Sequence, residues 1–426
     1  MINLNIEVKA LRETVFEKKM FSIVSFQAVN KNKISRADAV GFRKVLSRIL
    51  RNYEKLSYEC LNIFSQYKPD SNEHLLNICA LGHLRYLSGD KEEIANSYHD
   101  SFLIMRLSGN PSENAQRLIK ASESKLVLSD DVSSLPYLHN SLLLETKEFI
   151  LRDLALTFSD KDAIKISMAL NRLPCFYYAV NTKVAKLEDY LNDPRFEAIN
   201  LMDKNTILRH KRLGEKPLKD LKSGALYPVS YPEIFCYSQL DIPALTPMIL
   251  MSANHNPANG LFLSFMVDDI YNSEVTVVYD DAISFRLATD YKERFGLKHL
   301  LPLFSQNKMI KTYRESNCYD VVISKGHDSH MGQSSSHPAI LPSLTKEDLI
   351  KNRQLLLDDL KESSYFVKKG GNLVFYSGSL LKEETTDVKN AFLEKNPHYE
   401  LVVSDFVRPD ISQSDAGYYA IFRRIK

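Results

Sequence analysis

The apolar residues of this chain change period partway along, and that change limits the available architectures more than any other feature. From about Ile34 to Leu170 they recur at three- and four-residue spacing with few glycines, the pattern of helices packed side by side. Val40, Phe42, Val45, Leu46, Ile49 and Leu50 form one stripe, and Leu75, Leu76, Ile78, Leu81, Leu84 and Leu87 form another; both read as core faces of a bundle. Near Asn171 the texture shifts, and Phe176 to Asn181 is an aromatic and β-branched run suited to a strand. From Pro247 onward strand-like runs (248–251, 274–279, 319–323, 372–376, 401–403 and 418–422) alternate with helical ones, notably Ala282 to Phe295 and Lys346 to Val367. The second helix is expected to stop at Lys368-Lys369-Gly370-Gly371, a cationic last turn followed by glycine. Alternation of this kind indicates βαβ units and a mostly parallel sheet with helices on both faces. The expectation is an all-α N-terminal bundle over residues 1–170, a small α+β linker subdomain over 171–246, and a Rossmann-like α/β domain over 247–426.

Composition agrees with a divided chain, because 426 residues with 44% apolar content can bury more than one core. The 55 basic and 53 acidic residues nearly cancel, so a nucleic-acid surface would be a local patch. Five cysteines (Cys60, Cys79, Cys175, Cys236, Cys318) stand far apart without a CxxC pair, which excludes a zinc ribbon and a disulfide framework and fits a reducing cytoplasm. Charges at Glu7, Lys9, Arg12, Glu13, Glu17, Lys18 and Lys19 interrupt the first 20 residues, and the apolar runs are too short to span a bilayer. The reading is a soluble, cytoplasmic monomer with no membrane partner.

Sheets of this kind bind ligands beyond the carboxyl ends of their strands. The segment after the first strand, Ser252 to Gly260, is small and polar, so its backbone could approach a ligand, with Asn254, Pro257 and Gly260 as the candidate contacts. It has one glycine only, and an ordinary strand-to-helix turn explains it as well. The second strand ends at Asp280, placed where such sheets hold ribose hydroxyls; the alternative role is an N-cap for the helix at Ala282, to which Asp281 is equally suited. Gly326-His327-Asp328-Ser329-His330 carries two histidines, but Asp328 is too close in sequence for most three-ligand geometries, and no metal is expected. Among the basic clusters (Lys368-Lys369, Arg423-Arg424 with Lys426, and Arg209-His210-Lys211-Arg212), the last adjoins the domain junction, and Arg209, Lys211 and Arg212 are the candidate phosphate contacts.

The order of these motifs resembles, over nearly the whole chain, the Sun/Fmu type of bacterial small-subunit rRNA cytosine-C5 methyltransferase. Asn114-Ala115-Gln116-Arg117-Leu118 is similar to the segment closing that family's N-terminal domain, which is like the antitermination protein NusB. Asn171-Arg172 through Ala179-Val180-Asn181-Thr182 resembles the entry to the methyltransferase half, with Ala179 in place of arginine. Ser252 to Gly260 lies where the family has its S-adenosylmethionine loop, with serine for aspartate and alanine and asparagine for two glycines; Asp280 matches the ribose-binding acid. Lys325 to Met331, Gly332 and His337-Pro338 align with Asp-Ala-Pro-Cys-Ser-Gly-Thr-Gly and His-Pro, which puts Lys325 at the aspartate and Asp328 at the first cysteine. Lys369 to Leu380 aligns with the segment containing the second cysteine, here Gly378. Glu383-Glu384 and Asp415-Ala416-Gly417-Tyr418 continue the match.

The resemblance implies an RNA substrate, S-adenosylmethionine as cofactor, and a thiolate that adds to C6 of cytosine before C5 is methylated. A hydroxyl or carboxylate is no ready substitute for that soft nucleophile. With Gly378, Asp328 and Lys325 at the positions for addition, release and protonation, no catalytic residue of the family is retained. The expected function is therefore an rRNA-binding protein, a pseudoenzyme with respect to 5-methylcytosine that serves in rRNA processing. The alternatives are an S-adenosylmethionine-dependent enzyme methylating another atom, and a protein-interaction module acting through the NusB-like helices.

Overall fold

The computed structural model describes residues 3–87, 90–125, 128, 134–201, 205–243, 245–253, 256–268, 270, 272–305 and 316–426. The chain forms two compact units, Met1–Asn171 with His337–Leu344, and Arg172–Ser336 with Thr345–Lys426.

The first unit is helical from Leu4–Val15 onward, so two helices, this one and Phe21–Lys31, precede the point where the sequence periodicity becomes clear. Their boundaries follow capping chemistry: Ser71 accepts the His74 N–H at 3.2 Å to start Asn72–Tyr86, and Asn110 accepts that of Glu113 ahead of Pro111 to start Pro111–Glu123. Pro136 opens Pro136–Leu143 as expected, whereas the Ser129-Asp130-Asp131 breaker lies outside the described residues. The stripe on Asn72–Tyr86 is core, with Leu75, Leu76, Ile78 and Leu81 all fully buried. The stripe on Arg36–Arg51 needs a correction: Leu46, Ile49 and Leu50 are buried, but Val40 is 53% exposed, because six residues at about 100° each carry it around the helix from Leu46 and off the packed face. His83 meets Glu7 at 3.0 Å inside this core, tying the first helix to Asn72–Tyr86. Ala339, from the distant 337–344 segment, is buried in the same cluster.

In the second unit a four-stranded antiparallel sheet comes first: β1 (Tyr177–Val180), β2 (Phe196–Leu201), β3 (Asn205–His210) and β4 (Leu226–Val229), in the order β2-β3-β1-β4. A seven-stranded sheet follows, made of β5 (Met248–Ala253), β6 (Glu274–Tyr279), β7 (Leu300–Phe304), β8 (Tyr319–Lys325), β9 (Val367–Ser377), β10 (Tyr399–Val407) and β11 (Gly417–Arg424). Its order is β10-β11-β9-β8-β5-β6-β7, parallel except where β11 runs antiparallel between β9 and β10. The strand order reverses between β5 and β8, which opens the ligand crevice at their carboxyl ends. One apolar cluster covers one face (Ile249, Met251, Val275, Val277, Val321, Ile323) and a second covers the other (Leu250, Val322, Leu373, Phe375, Tyr418, Phe422), as the alternation of side chains along a strand requires.

Two sequence expectations change here. Lys368-Lys369-Gly370-Gly371 does not end a helix: the helix Lys346–Ser364 stops earlier and these residues belong to β9. Val367 pairs with Tyr319 and Asn372 with Val321, so the Lys-Lys-Gly-Gly segment is a bulge, with Gly370 at φ +81°. Strand β7 was not anticipated; Pro302 within it obscures the β pattern, and it is tolerated because β7 is an edge strand.

Candidate functional site

The loops beyond the carboxyl ends of β5, β6, β8 and β9 converge on one crevice. At the end of β6, Asp281 rather than Asp280 caps Ala282–Phe295, its carboxylate accepting the Ser284 N–H at 2.7 Å. Asp280 lies at the crevice, 38% exposed and 3.5 Å from His327 Nε2. Asp359, 3.8 Å from the other ring nitrogen, raises the His327 pKa mainly by hydrogen bonding; burial opposes this and the charge of Asp280 adds to it.

Gly260 precedes the helix Leu261–Met266 in the left-handed region, φ +82°, and a β-carbon there would lie 2.4 Å from Val277 Cγ2. This is close packing of the loop onto β6 that only glycine permits. Pro257 and Asn259 carbonyls accept the buried Tyr279 hydroxyl at 3.4 and 3.1 Å. Asn254 lies outside the described residues.

Lys325, at the end of β8, is not an open cation. Its ammonium meets Glu233 at 2.8 Å and Asn259 Oδ1 at 2.7 Å, and lies over the Tyr376 ring at 5.4 Å from the centroid. Glu233 comes from the helix Tyr231–Tyr237, and no sequence signal singled it out. A charge of reversed sign at position 325 is thus neutralised locally by a carboxylate from another segment.

The two positions aligned with cysteines touch each other. The buried Asp328 carboxylate accepts the Gly378 N–H at 2.6 Å, the Ser377 hydroxyl at 3.1 Å and the His330 N–H at 2.6 Å, and its other contact is His330 Nδ1 at 3.0 Å. Burial opposes ionisation of Asp328, but the His330 charge and these hydrogen bonds outweigh it and hold the carboxyl below its ordinary range; the Asp328 charge in turn raises His330. His330 sits at φ +52° with its ring 45% exposed. Glu384, fully buried, accepts the Ser329 N–H at 2.8 Å and the Asn352 amide at 2.7 Å. Burial first, then the charge of Asp328, pushes its pKa up to about 6. Gly332 is held between backbone segments, donating to Gly378 O at 2.8 Å and accepting from Ala416 at 2.9 Å; a β-carbon would come within 2.3 Å of Ala416 O.

The thiols are elsewhere. Cys318 precedes β8, at the end of the sheet opposite the crevice, and Cys236 is completely buried with its pKa raised by that burial. Of the basic candidates on β3 and just after it, Lys211 and Arg212 are exposed, whereas Arg209 is committed to Glu197 and to Gln413 at 2.8 Å. Lys368 is paired with Asp320, whose other carboxylate oxygen accepts the Met248 N–H at 2.9 Å, and Arg424 binds Asn317 and the Val367 carbonyl.

No protein-family model matches the chain, and no curated protein matches it. Solved structures do. PH0851 superposes with a TM-score of 0.75 at 16% identity, over 99% of each chain. A methyltransferase homolog protein from Pyrococcus horikoshii gives 0.57 at 17% identity, covering 70% of this chain and all of its own. NSun6 from the same organism, solved with SFG, gives 0.53 at 11% identity over 65% of this chain and 98% of its own. At these identities the likeness is one of fold: a helical region followed by a Rossmann-like domain of methyltransferase type.

Proposed function

We propose that this chain is an RNA-binding protein of the cytosine-C5 methyltransferase type that does not make 5-methylcytosine, with small-subunit ribosomal RNA as the target class its motifs imply. The observation that carries the reading is the Asp328–Gly378 contact at 2.6 Å. Neither position holds a thiol, and the carboxylate is engaged by three hydrogen bonds and an imidazole, so it has no free electron pair suited to attack on C6. Exposed Lys211 and Arg212 supply phosphate contacts, with Arg209 contributing less because it is already paired. The experiment is adduct trapping: the purified protein and RNA containing 5-azacytidine should give no covalent complex, and cytidine should gain no methyl group. Appearance of either would overturn the reading.

A second reading, methylation of an atom that needs no covalent adduct, draws support from the Asp328–His330 pair, a buried carboxylate orienting a half-exposed imidazole that could accept a proton. The residues present fit the adenosyl end of S-adenosylmethionine: Asp280 would accept from ribose hydroxyls, and Gly260 allows close backbone approach. SFG, an analogue of that cofactor, accompanies NSun6 in its structure. When bound, the cofactor supplies an activated methyl group. Calorimetric titration separates the readings, since saturable binding lost on Asp280→Ala favours the second and no binding favours the first.

A further inference from the structure

Beside the crevice, and still inside the second unit, lies a 270 Å³ cavity that the motifs do not account for. Its lining includes Phe176, Tyr231, Tyr291 and Phe295 together with Lys216 and Arg294. Both cations rest on aromatic faces, Lys216 Nζ 4.9 Å from the Phe176 centroid and the Arg294 guanidinium carbon 5.6 Å from that of Phe295. Among the described residues neither is ion-paired with a carboxylate, although the Arg294 guanidinium also donates to the Leu221 carbonyl. Asp415 also lines the cavity and accepts the Ser335 hydroxyl at 3.1 Å in the turn following His330. The wall residue Tyr231 opens the helix that delivers Glu233 to Lys325. The cavity therefore abuts the candidate site at two points.

Aromatic rings, two cations without a carboxylate partner and one carboxylate acceptor match the three parts of a nucleotide. A base stacks on rings regardless of its identity, a phosphate meets cations, and an exocyclic amine or ribose hydroxyl donates to a carboxylate. An apolar peptide would leave the cations unused, and an acidic one would not use the ring faces. We propose that this cavity receives one nucleotide of single-stranded RNA next to the nucleotide at the crevice, its base against Tyr291 and Tyr231 and its phosphate at Lys216 and Arg294. The proposal rests on the RNA-binding reading and adds the place where a flanking nucleotide is held.

The test measures anisotropy of a labelled single-stranded RNA of about a dozen nucleotides with the full chain, Tyr291→Ala and Lys216→Glu, at several salt concentrations. Each variant should weaken binding about tenfold, but only Lys216→Glu should lower the salt slope, because stacking releases no counterions. Lys216 is exposed, so its variant does not endanger folding. Titration of cytidine 5′-monophosphate followed by saturation-transfer NMR is the independent measurement, and should show saturable binding that Tyr291→Ala removes. RNA affinity unchanged in both variants would overturn the cavity assignment and leave the RNA reading intact. Should the unaltered chain fail to bind RNA, the RNA reading falls, and the mononucleotide titration decides the cavity: binding lost in Tyr291→Ala sustains a nucleotide site, and no binding overturns it.

Discussion

A β-carbon added at Gly378 would lie 3.4 Å from His330 Nδ1 and 3.5 Å from Asp328 Oδ1, ordinary contact distances at a backbone conformation open to any residue. Gly378→Cys should consequently fold, with a stability change within about 1 kcal/mol in urea titration. It should still yield no 5-methylcytosine by mass spectrometry, because Asp328 and Lys325 keep their partners and the other two roles stay vacant. Glu384 makes a different residue-scale prediction. Its folded pKa of about 6 lies above the ordinary glutamate value of 4.5, so between those pH values the native state holds more protons and stability falls as pH rises. Asp415, raised to about 6 chiefly by burial, and His330 act with the same sign. Asp328, held low, acts with the opposite sign below its ordinary range. Glu384→Gln should therefore lessen the loss of stability between pH 4.5 and pH 7 by at most about 2 kcal/mol, measured by denaturant titration at each pH. An unchanged slope would mean that Glu384 is not protonated in the native state.

Elements in this protein are terminated and joined by contacts that often come from outside them. The short helix Leu261–Met266 has no side-chain cap and begins on Gly260, whose left-handed backbone and lack of a β-carbon, which would fall 2.4 Å from Val277 Cγ2, set how the loop meets β6. Gly260→Ala should cost about 2–4 kcal/mol, the sum of backbone strain and overpacking, and should abolish any binding of S-adenosylmethionine along with it. Urea unfolding measures the first effect and calorimetry the second. The bulge in β9 shows the same dependence on neighbours. Lys-Lys-Gly-Gly has the composition of a helix stop, yet Lys368 is drawn to the buried Asp320 of β8, and Gly371 has Asp320 O within 2.8 Å of where its β-carbon would be.

At the scale of the molecule, the first unit completes its core with a segment from far along the chain: Ala339 is buried in the helical cluster, and Lys147 donates to the Leu344 carbonyl at 2.8 Å. A fragment of residues 1–171 should show a helical spectrum and a cooperative thermal transition, since most of its core is intact without those eight residues. Its midpoint should lie below that of a version with 337–344 appended through a flexible linker. Equal midpoints would show that the segment contributes nothing to the helical unit.

Hydrophobic period and local chemistry by themselves determined the helical region, most strands of the parallel sheet, the position of Asp280 at the end of β6 and the absence of thiols from the aligned positions. Each of these is written within a few consecutive residues, where side-chain spacing and backbone preference act directly. Only the tertiary structure decided that Asp281 and not Asp280 takes the cap, that Glu233 and Asn259 neutralise Lys325, and that Asp328 closes over Gly378. Lys325 and Asn259 are 66 residues apart, and Gly378 and Asp328 are 50. Pairs so distant meet because sheet order sets the strands that carry them side by side, and a buried charge brought there must find a partner whatever segment supplies it.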